Sequence, residues 1–206
     1  VSHFNFKLNG LTGFDLNAKT VGIIGTGKIG SVMTKIMSGF GCRILAYDIV
    51  QNEELVNSYD ATYMTLSELC QHSDIISLHV PLNSETQNLI NDELISIMKP
   101  GVILINTARG AVIDTQAVIY GLEQKIIGGY ATDVYENEKD IFFKDHAQTI
   151  PDDDLLIKLN AMPNVLMTGH HAFLTEEALT AIAETTVFNL DCWEKEEPNP
   201  NELTEK

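Results

Sequence analysis

Short apolar runs alternate with amphipathic segments along most of the chain. Runs rich in valine and isoleucine predict buried strands over 20–25, 43–48, 74–80, 102–106, 126–132 and 164–168. Between these runs, apolar spacing and capping residues predict helices over 28–40, 65–70, 91–98, 114–122 and 176–193. Strands that alternate with helices in this way predict an α/β fold, a doubly wound parallel sheet with helices on both faces.

Several local details refine this pattern. Thr65, with Glu68 three residues later, has the spacing of a capping box, and Asn91 or Asp92 is expected to cap the following helix. The first helix is expected to bury one apolar stripe, composed of Ile29, Val32, Met33, Ile36 and Met37. In the last helix the residues at helix-compatible spacing are Leu179, Ile182, Val187, Leu190 and Trp193. The acidic stretch 136–158 interrupts the alternation and is predicted to be a long surface excursion.

A glycine-rich loop, Gly25-Thr26-Gly27-Lys28-Ile29-Gly30, ends the first strand and opens the first helix. In this context Gly25 permits a tight turn, Gly27 lets the backbone approach a pyrophosphate, and Gly30 lets helix and strand pack closely. The amides at the helix N-terminus would bind the phosphates. The sequence therefore predicts a Rossmann-like dinucleotide site, with a plain glycine turn as the alternative.

Asp48 ends the second strand, 23 residues after Gly25. A carboxylate at this position accepts hydrogen bonds from the adenosine ribose and repels a 2′-phosphate, which favours NAD over NADP. The alternative is a solvated aspartate at a strand end.

Further chemistry-bearing residues follow other strands. Arg109 comes after the fourth long strand, where a guanidinium could grip a carboxylate, although a surface ion pair is the alternative. Acids stand at Asp133, Glu136 and Glu138, and histidines follow the last strand at 170 and 171. A histidine oriented by a carboxylate can act as a general acid or base, but on pattern alone a core or surface histidine explains either residue better. No metal is predicted, because adjacent residues in an extended segment point in opposite directions.

The composition limits the kinds of molecule that the chain is expected to bind. With a net charge of −16, the chain is not expected to bind nucleic acid or a membrane surface, both of which attract basic faces. The cysteines Cys42, Cys70 and Cys192 are widely spaced and form no Cys-x-x-Cys pair, which fits a reducing compartment. With no signal pattern and no apolar run of about 20 residues, the sequence predicts a cytoplasmic protein.

Together these segments resemble the D-isomer-specific 2-hydroxyacid dehydrogenase family, and within it the bacterial D-lactate dehydrogenases. The resemblance rests on Thr20 to Gly30, Asn106 to Gly110, Asp133 to Glu138 with Phe142-Phe143, and Thr168 to Thr175. It implies an NAD cofactor and the reversible reduction of pyruvate to D-lactate. It also implies a homodimer, because family members pair through this domain.

The resemblance also implies roles for single residues. Arg109 would bind the substrate carboxylate and polarise its keto group, His170 would donate the proton, and Glu138 would orient His170. The family's acid falls five residues after the strand-end aspartate, which selects Glu138 over Glu136. His171 has no implied role. The implied cofactor contacts are Gly25, Gly27, Lys28, Ile29, Gly30, Asp48, Val80, Pro81, Thr86, Thr107, Ala108, Arg109 and Asp133.

The expected organisation is a connector over 1–19, an NAD-binding domain over 20–193 and an acidic tail over 194–206. Family members carry an upstream segment that builds the substrate side of the cleft. Since this chain lacks it, we expect the chain to bind NAD(H) but to reduce pyruvate poorly. Two alternatives stay open: a dinucleotide-sensing or interaction protein that kept the fold, and a family member that acts on a bulkier 2-hydroxy acid.

Overall fold

A computed structural model describes residues 12–146 and 151–202. The chain forms two compact units, one ending at Gly169 and the other beginning at His170. The strands of the first unit are β1 (Thr20–Ile24), β2 (Arg43–Tyr47), β3 (Thr62–Tyr63), β4 (Ile75–Leu78), β5 (Val102–Asn106), β6 (Ile127–Thr132) and β7 (Val165–Met167). Its α-helices are α1 (Lys28–Gly39), α2 (Glu53–Tyr59), α3 (Leu66–His72), α4 (Asp92–Ser96), α5 (Thr115–Glu123) and α6 (Asp154–Ala161).

The strands form one sheet in the order β3-β2-β1-β4-β5-β6-β7, and every neighbouring pair is parallel. Val21 pairs with Ile44 of β2 on one side and with Ile75 of β4 on the other. The prediction of a doubly wound parallel sheet is therefore confirmed. The strand order reverses between β1 and β4, and the crevice beyond the carboxyl ends of such strands is where ligands bind in sheets of this type.

Alternate residues of the central strands enter two separate cores. Val21 and Ile23 of β1 join a cluster with Ile44, Leu55 and Ile75, while Ile24 joins the larger cluster on the other side of the sheet. The larger cluster contains fully buried residues from β4, β5, α3, α4 and α5. Because both faces of β1 are covered, all five of its residues are buried, and the loop that follows it is held on a rigid strand.

Helix α1 packs on the sheet through a different stripe from the predicted one. The helix buries Gly30 and Thr34, and Met33 and Met37 pack partly against the core. The expected stripe is wrong for three of its residues, because the side chains of Ile29, Val32 and Ile36 are 67%, 53% and 49% exposed. The small side chains at 30 and 34 let the helix approach the sheet closely, and this close approach turns the larger apolar residues outward.

Three short elements were not predicted from the sequence. Helix α2 and strand β3 follow β2, and α6 lies inside the stretch 136–158 that was expected to be a surface excursion. That expectation is wrong for α6, because Leu156 and Leu159 are buried in the larger core. Residues 147–150 of this stretch lie outside the described residues. The predicted caps are confirmed: Thr65 and Glu68 form a capping box, and Asn91 caps α4.

The second unit contains helix α7 (Glu176–Glu194), whose N-cap is Thr175. The predicted apolar residues of this helix are all at least 44% exposed, and Cys192 is its buried residue. Parts of the expected connector and tail, residues 1–11 and 203–206, lie outside the described residues. None of the helices in the described part of the chain combines the length and the apolar character that a membrane crossing requires.

Candidate cofactor and catalytic site

The glycine-rich loop adopts the geometry that its sequence predicts. Gly25 has a φ of +92°, and a Cβ atom at this position would lie 2.7 Å from the carbonyl oxygen of His79. A Cβ atom on Gly30 would overlap the carbonyl oxygen of Gly25, so helix and strand can pack here only without a side chain. At Gly27, the N-cap of α1, a Cβ atom would meet nothing within 4 Å. The outer surface of the loop therefore faces open space, where a ligand can approach the backbone.

The carboxylate of Asp48 contacts this loop and helps to fix its conformation. Its Oδ2 atom accepts hydrogen bonds from the backbone N–H of Thr26 at 2.6 Å and from the Thr26 hydroxyl at 3.1 Å. The Tyr63 hydroxyl donates to Thr26 Oγ1 at 2.8 Å and accepts from the N–H of Asn52 at 2.9 Å. Asp48 is thus more than a solvated strand-end carboxylate, because it joins the end of β2 to the glycine loop.

Two clefts open beside the loop at the reversal point of the sheet. One is lined by the turn after β1, the end of β2 and the loop after β4, with Gly25, Gly27, Asp48, Val80, Pro81 and Thr86 among its residues. The other is lined by Lys28, Ile29, Val80, Pro81, Thr107, Ala108 and Arg109. His79, Val80 and Pro81 line both clefts. The structure therefore brings eleven of the thirteen predicted cofactor residues to two adjoining clefts, with Gly30 packed behind the loop.

Between the two clefts lies His79, a residue without a predicted role. Its Nε2 atom is 2.9 Å from Ser77 Oγ, and its backbone N–H donates to the carbonyl of Ile24 at 2.7 Å. Burial lowers the pKa of His79 to about 4, so the imidazole is neutral at physiological pH. The uncharged ring therefore adds no positive charge between the two clefts.

The loop that carries Arg109 is held by the buried side chain of Asn106. The Asn106 Nδ2 atom donates to the carbonyl of Arg109, and its Oδ1 atom accepts from the N–H of Ala108, both at 3.0 Å. The guanidinium of Arg109 is exposed and donates to the carbonyl of Ala108 at 2.6 Å. The backbone at this position is rigid, while the side chain lies at the cleft, where it can meet an anion.

The segment after β6 carries the predicted acids. Asp133 is buried, its N–H donates to the carbonyl of Asn106 at 3.0 Å, and its Oδ1 atom accepts from the Thr168 hydroxyl. The main chain and side chain of Asp133 thereby join the ends of β5, β6 and β7. Glu138 lies in a short 3-10 helix (Glu138–Asp140), and its Oε2 atom accepts from the N–H of Tyr135 at 2.9 Å.

Glu136 and Glu138 have different surroundings. Burial raises the pKa of Glu136, a hydrogen bond from Thr115 opposes that rise, and the charges of Asp114 and Asp153 add to it. Glu136 therefore faces the start of α5, where Asp114 is the N-cap. Glu138 is held by the backbone of its own turn instead, and the prediction that selects Glu138 over Glu136 rests on the family spacing.

His170 is the first residue of the second unit and adopts a left-handed backbone conformation, with a φ of 53°. Its side chain is half-buried, and that of His171 is exposed. Within the same unit, the N–H of Leu174 donates to the carbonyl of His171 at 2.9 Å. A meeting of His170 with Arg109 and Glu138 stays a prediction.

The cysteines and acids of the described residues provide no other obvious site. Burial raises the pKa of Cys70 to about 12 and also raises that of Cys42, so both thiols stay protonated at neutral pH. In the described ranges, no group of three histidines, cysteines or acids is arranged to hold a metal ion.

Comparison with known proteins identifies the family. Residues 2–172 match the family described as D-isomer specific 2-hydroxyacid dehydrogenase, NAD binding domain. The chain belongs to this family. A D-lactate dehydrogenase from Curvularia clavata is 50% identical over 98% of the chain, and the D-lactate dehydrogenase of Escherichia coli is 49% identical over 97%. The chain spans 57% and 60% of the lengths of these two relatives.

Solved structures of the 2-hydroxyacid dehydrogenases share this fold. An apo-structure of Escherichia coli D-lactate dehydrogenase is 47% identical, with a TM-score of 0.86 over 98% of this chain and 59% of that one. A D-lactate dehydrogenase from Lactobacillus jensenii with NAD+ is 37% identical, with a TM-score of 0.86 over 96% of this chain and 59% of that one. A pyruvate reductase from Chlamydomonas reinhardtii is 43% identical, with a TM-score of 0.91 over 96% and 60%.

The residues of this 2-hydroxyacid dehydrogenase domain fit NAD chemically. The open face of Gly27 leaves room for a pyrophosphate at the N-terminus of the 12-residue helix α1, whose amides favour an anion. Asp48 lines the cleft next to this position, where its carboxylate can accept hydrogen bonds from ribose hydroxyls. These two features meet the needs of a dinucleotide without a 2′-phosphate.

Sequence reasoning missed several residues that shape the site. Tyr63 and Asn52 support the glycine loop, Asn106 holds the loop of Arg109, and His79 lies between the two clefts. A polar residue directly at the end of an apolar run is a detectable signal for Asn106 and His79. Tyr63 has no comparable signal, because its strand is only two residues long.

Proposed function

We propose that the chain is the NAD(H)-binding part of a dehydrogenase that reversibly reduces pyruvate to D-lactate. The observation that carries this proposal is the shared cleft of Lys28, Ile29, Val80, Pro81, Thr107, Ala108 and Arg109. It joins a dinucleotide-binding loop to an arginine that can bind a carboxylate. A site with both features fits a small anionic substrate held next to the cofactor.

Arg109 is the proposed substrate anchor. A guanidinium binds a carboxylate with two parallel hydrogen bonds, and the same charge stabilises negative charge that develops on a keto oxygen. Because Asn106 fixes the Arg109 backbone, the guanidinium can reach the cleft from a preorganised loop. Preorganisation of this kind lowers the cost of holding the substrate in a reactive position.

His170 and Glu138 are the proposed acid–base pair. His170 would give a proton to the keto oxygen during reduction and take it back during oxidation. Glu138 would accept a hydrogen bond from the imidazole, which orients the ring and favours its protonated form. NADH, held by the residues that line the two clefts, would supply the hydride that reduces the keto carbon.

Asp48 is the proposed source of the preference for NAD over NADP. Its carboxylate lines the cleft beside the glycine loop, where it would repel a 2′-phosphate and accept hydrogen bonds from a ribose. The names of the relatives, D-lactate dehydrogenase and pyruvate reductase, support pyruvate and D-lactate as the substrate pair. A cytoplasmic location stays a prediction.

A homodimer is also part of the proposal. Helix α1 turns Val32 and Ile36 outward, and its C-cap Phe40 is exposed as well, each side chain being at least 49% exposed. The same helix contains two lysines and no acid, in a chain whose net charge is −16. A second copy of the chain is the proposed partner of this face. Light scattering should give the mass of a dimer, and a monomer that persists at high protein concentration would contradict it.

The function is tested with the two arginines of the chain, Arg43 and Arg109. In the full-length protein, Arg109→Gln should lower kcat/KM for pyruvate by roughly 1000-fold, the scale of losing an oxyanion-binding donor. The affinity for NADH should fall far less, because the other predicted cofactor contacts remain in place. Arg43→Gln is the matched control, since Arg43 is exposed at the opposite end of the sheet strands and should leave both values unchanged.

Two outcomes would overturn the proposal. One is a wild-type protein that binds NADH but shows no pyruvate-dependent NADH oxidation and no D-lactate-dependent NAD reduction. The other is Arg109→Gln with turnover equal to that of Arg43→Gln.

A further inference from the structure

Tyr135 is a buried residue whose hydroxyl forms hydrogen bonds with a carboxylate. Its exposed fraction is 3%, and its hydroxyl lies 2.8 Å and 2.9 Å from the two carboxylate oxygens of Asp153. Burial raises the pKa of Tyr135, and the Asp153 carboxylate raises it further, so the phenol stays protonated. The hydroxyl is therefore the hydrogen-bond donor, and the position of the ring is set by Asp153.

Asp153 is itself fixed, because it is the N-cap of α6. Its Oδ1 atom accepts from the N–H of Leu156 at 2.9 Å, and its carbonyl accepts from the N–H of Ile157 at 3.0 Å. Leu156 and Leu159 anchor the same helix in the larger core. The phenol of Tyr135 is thus tied to a helix terminus that cannot move without disturbing the core.

The backbone of Tyr135 in turn holds Glu138. The N–H of Tyr135 donates to Glu138 Oε2 at 2.9 Å, and the N–H of Glu138 donates to the carbonyl of Tyr135 at 3.3 Å. One residue therefore links two carboxylates: its side chain contacts Asp153 and its main chain contacts Glu138. A rotation of the peptide at 135 would move the carboxylate of Glu138 with it.

The same stretch of backbone also touches the arginine loop. A Cβ atom on Gly110 would overlap the carbonyl group of Tyr135 and the nitrogen of Glu136, so the chain after Arg109 lies directly against this peptide. Tyr135 consequently lies between the loop of the proposed substrate anchor and the turn of the proposed acid–base partner. Its position affects both sides of the site.

We propose that Tyr135 and Asp153 are positioning residues that hold Glu138 in its working orientation. This inference rests on the proposed function, in which Glu138 orients His170. Neither residue needs to touch the substrate or cofactor. Their contribution is to keep the hydrogen bond from the Tyr135 N–H to Glu138 aligned. The carboxylate of Glu138 is then held in place for its proposed hydrogen bond with His170.

The test compares four variants of the full-length protein. Tyr135→Phe removes the hydroxyl, and Asp153→Ser keeps a capping side chain for α6 but is too short to reach Tyr135. Both should lower kcat by about tenfold and leave the KM for NADH unchanged. Both should also lower the pH at which pyruvate reduction falls to half its maximum, because a poorly oriented Glu138 favours the protonated acid less. Asp153→Asn keeps both the cap and an acceptor for the phenol. Its kcat and the pH midpoint of its activity should therefore stay near the wild-type values.

Asn91→Ala is the fourth variant and the control for stability. It removes the cap of α4, where Asn91 Oδ1 accepts from the N–H of Leu94, so it should lower Tm without changing kcat or the pH midpoint. The inference is overturned if Tyr135→Phe and Asp153→Ser lower Tm in the same way but keep the wild-type kcat and pH midpoint.

A parallel measurement on Glu138→Gln separates the positioning role of Tyr135 and Asp153 from the proposed role of Glu138 itself. Loss of activity in this variant, together with normal Tyr135→Phe kinetics, overturns the positioning role and leaves the proposed function intact. Full activity of Glu138→Gln overturns the role of Glu138 itself, and with it the positioning role.

Discussion

The backbone N–H of Thr26 donates a hydrogen bond to Asp48, with 2.6 Å between the nitrogen and Oδ2. This contact joins the end of β2 to the glycine loop at the end of β1. The carboxylate that would recognise the ribose therefore also fixes the loop that would bind the pyrophosphate. A change at Asp48 should affect how tightly NADH binds and also which cofactor is preferred.

We expect Asp48→Ala to weaken NADH binding by about 10- to 100-fold, the scale of losing hydrogen bonds to a charged group. NADPH should lose less affinity than NADH, because a negative charge near the 2′-phosphate is removed. Titrations of the chain with NADH and with NADPH, followed by nucleotide fluorescence, measure both effects.

Tyr63→Phe is the matched control for this change. It removes the hydrogen bond to Thr26 Oγ1 but leaves the carboxylate in place, so the loop is loosened without altering the charge. Both affinities should fall by the same small factor, about fivefold, and their ratio should stay constant. An Asp48→Ala variant whose ratio also stays constant would show that Asp48 does not select the cofactor.

A second prediction concerns Gly110, which packs against the Tyr135–Glu136 peptide. Gly110→Ala should lower the free energy of unfolding by about 3 kcal/mol, because backbone on both sides must shift to admit a methyl group. Gly39→Ala, in helix α1 with nothing within 4 Å of the added Cβ, should raise it by about 0.5 kcal/mol. Urea unfolding of both variants measures the difference. Equal free energies of unfolding for the two variants would show that Gly110 is not closely packed against the Tyr135–Glu136 peptide.

The sequence predicted the long strands and their carboxyl-end residues well, because a strand buried on both faces produces a continuous apolar run. The prediction was wrong where small residues are buried and larger apolar residues are exposed. Helix α1 buries Gly30 and Thr34 and exposes Ile29 and Val32, since the close approach of helix and sheet favours small residues. Hydrophobic periodicity marks large apolar residues and cannot show which of two neighbouring stripes faces the sheet.

The supporting hydrogen bonds of the site were also beyond sequence reasoning. Tyr63 is 37 residues from Thr26, and Asp153 is 18 residues from Tyr135. No local pattern predicts such pairs, because the fold brings them together. The glycine loop, by contrast, is a local structure: Gly30 packs against the carbonyl of Gly25 within the same turn, and Gly27 leaves the N-terminus of α1 open.

A third prediction follows from the lowered pKa of His79. Burial lowers this pKa to about 4 from an ordinary value near 6.5. Between these values the unfolded chain binds more protons than the folded chain, so the free energy of unfolding falls as the pH drops through this window. From about pH 7.5 to about pH 5, this group alone should lower it by about 2 kcal/mol.

His79→Gln removes the titration and keeps a polar side chain that can meet Ser77. The clefts that His79 lines also contain Lys28, Arg109, Asp48 and Glu85, and these charges are the same in both proteins. The loss of stability on acidification should therefore be smaller in the variant by about 2 kcal/mol, measured by urea unfolding at the two pH values. Identical losses in the two proteins would show that His79 titrates normally in the folded state.

The fourth prediction concerns the 206-residue chain by itself. It spans about three fifths of the relatives it matches, and reduction of a keto acid needs a cleft that positions the substrate and excludes water. We expect the chain to bind NADH and to oxidise it with pyruvate at least ~100-fold more slowly than the full-length protein. Stopped-flow binding and steady-state rates on one preparation test this. Turnover at the full-length rate would contradict it.

His170 is the proposed acid of a D-2-hydroxyacid dehydrogenase, and its neighbour His171 provides a matched control. The most direct measurement is kcat for pyruvate reduction by full-length His170→Ala and His171→Ala, together with the Kd for NADH. We predict a loss of at least ~100-fold for His170→Ala, the lower range for a general acid, with NADH binding retained. For His171→Ala we predict a near-normal kcat. A His170→Ala enzyme with normal kcat, or a loss confined to His171→Ala, would contradict the proposal.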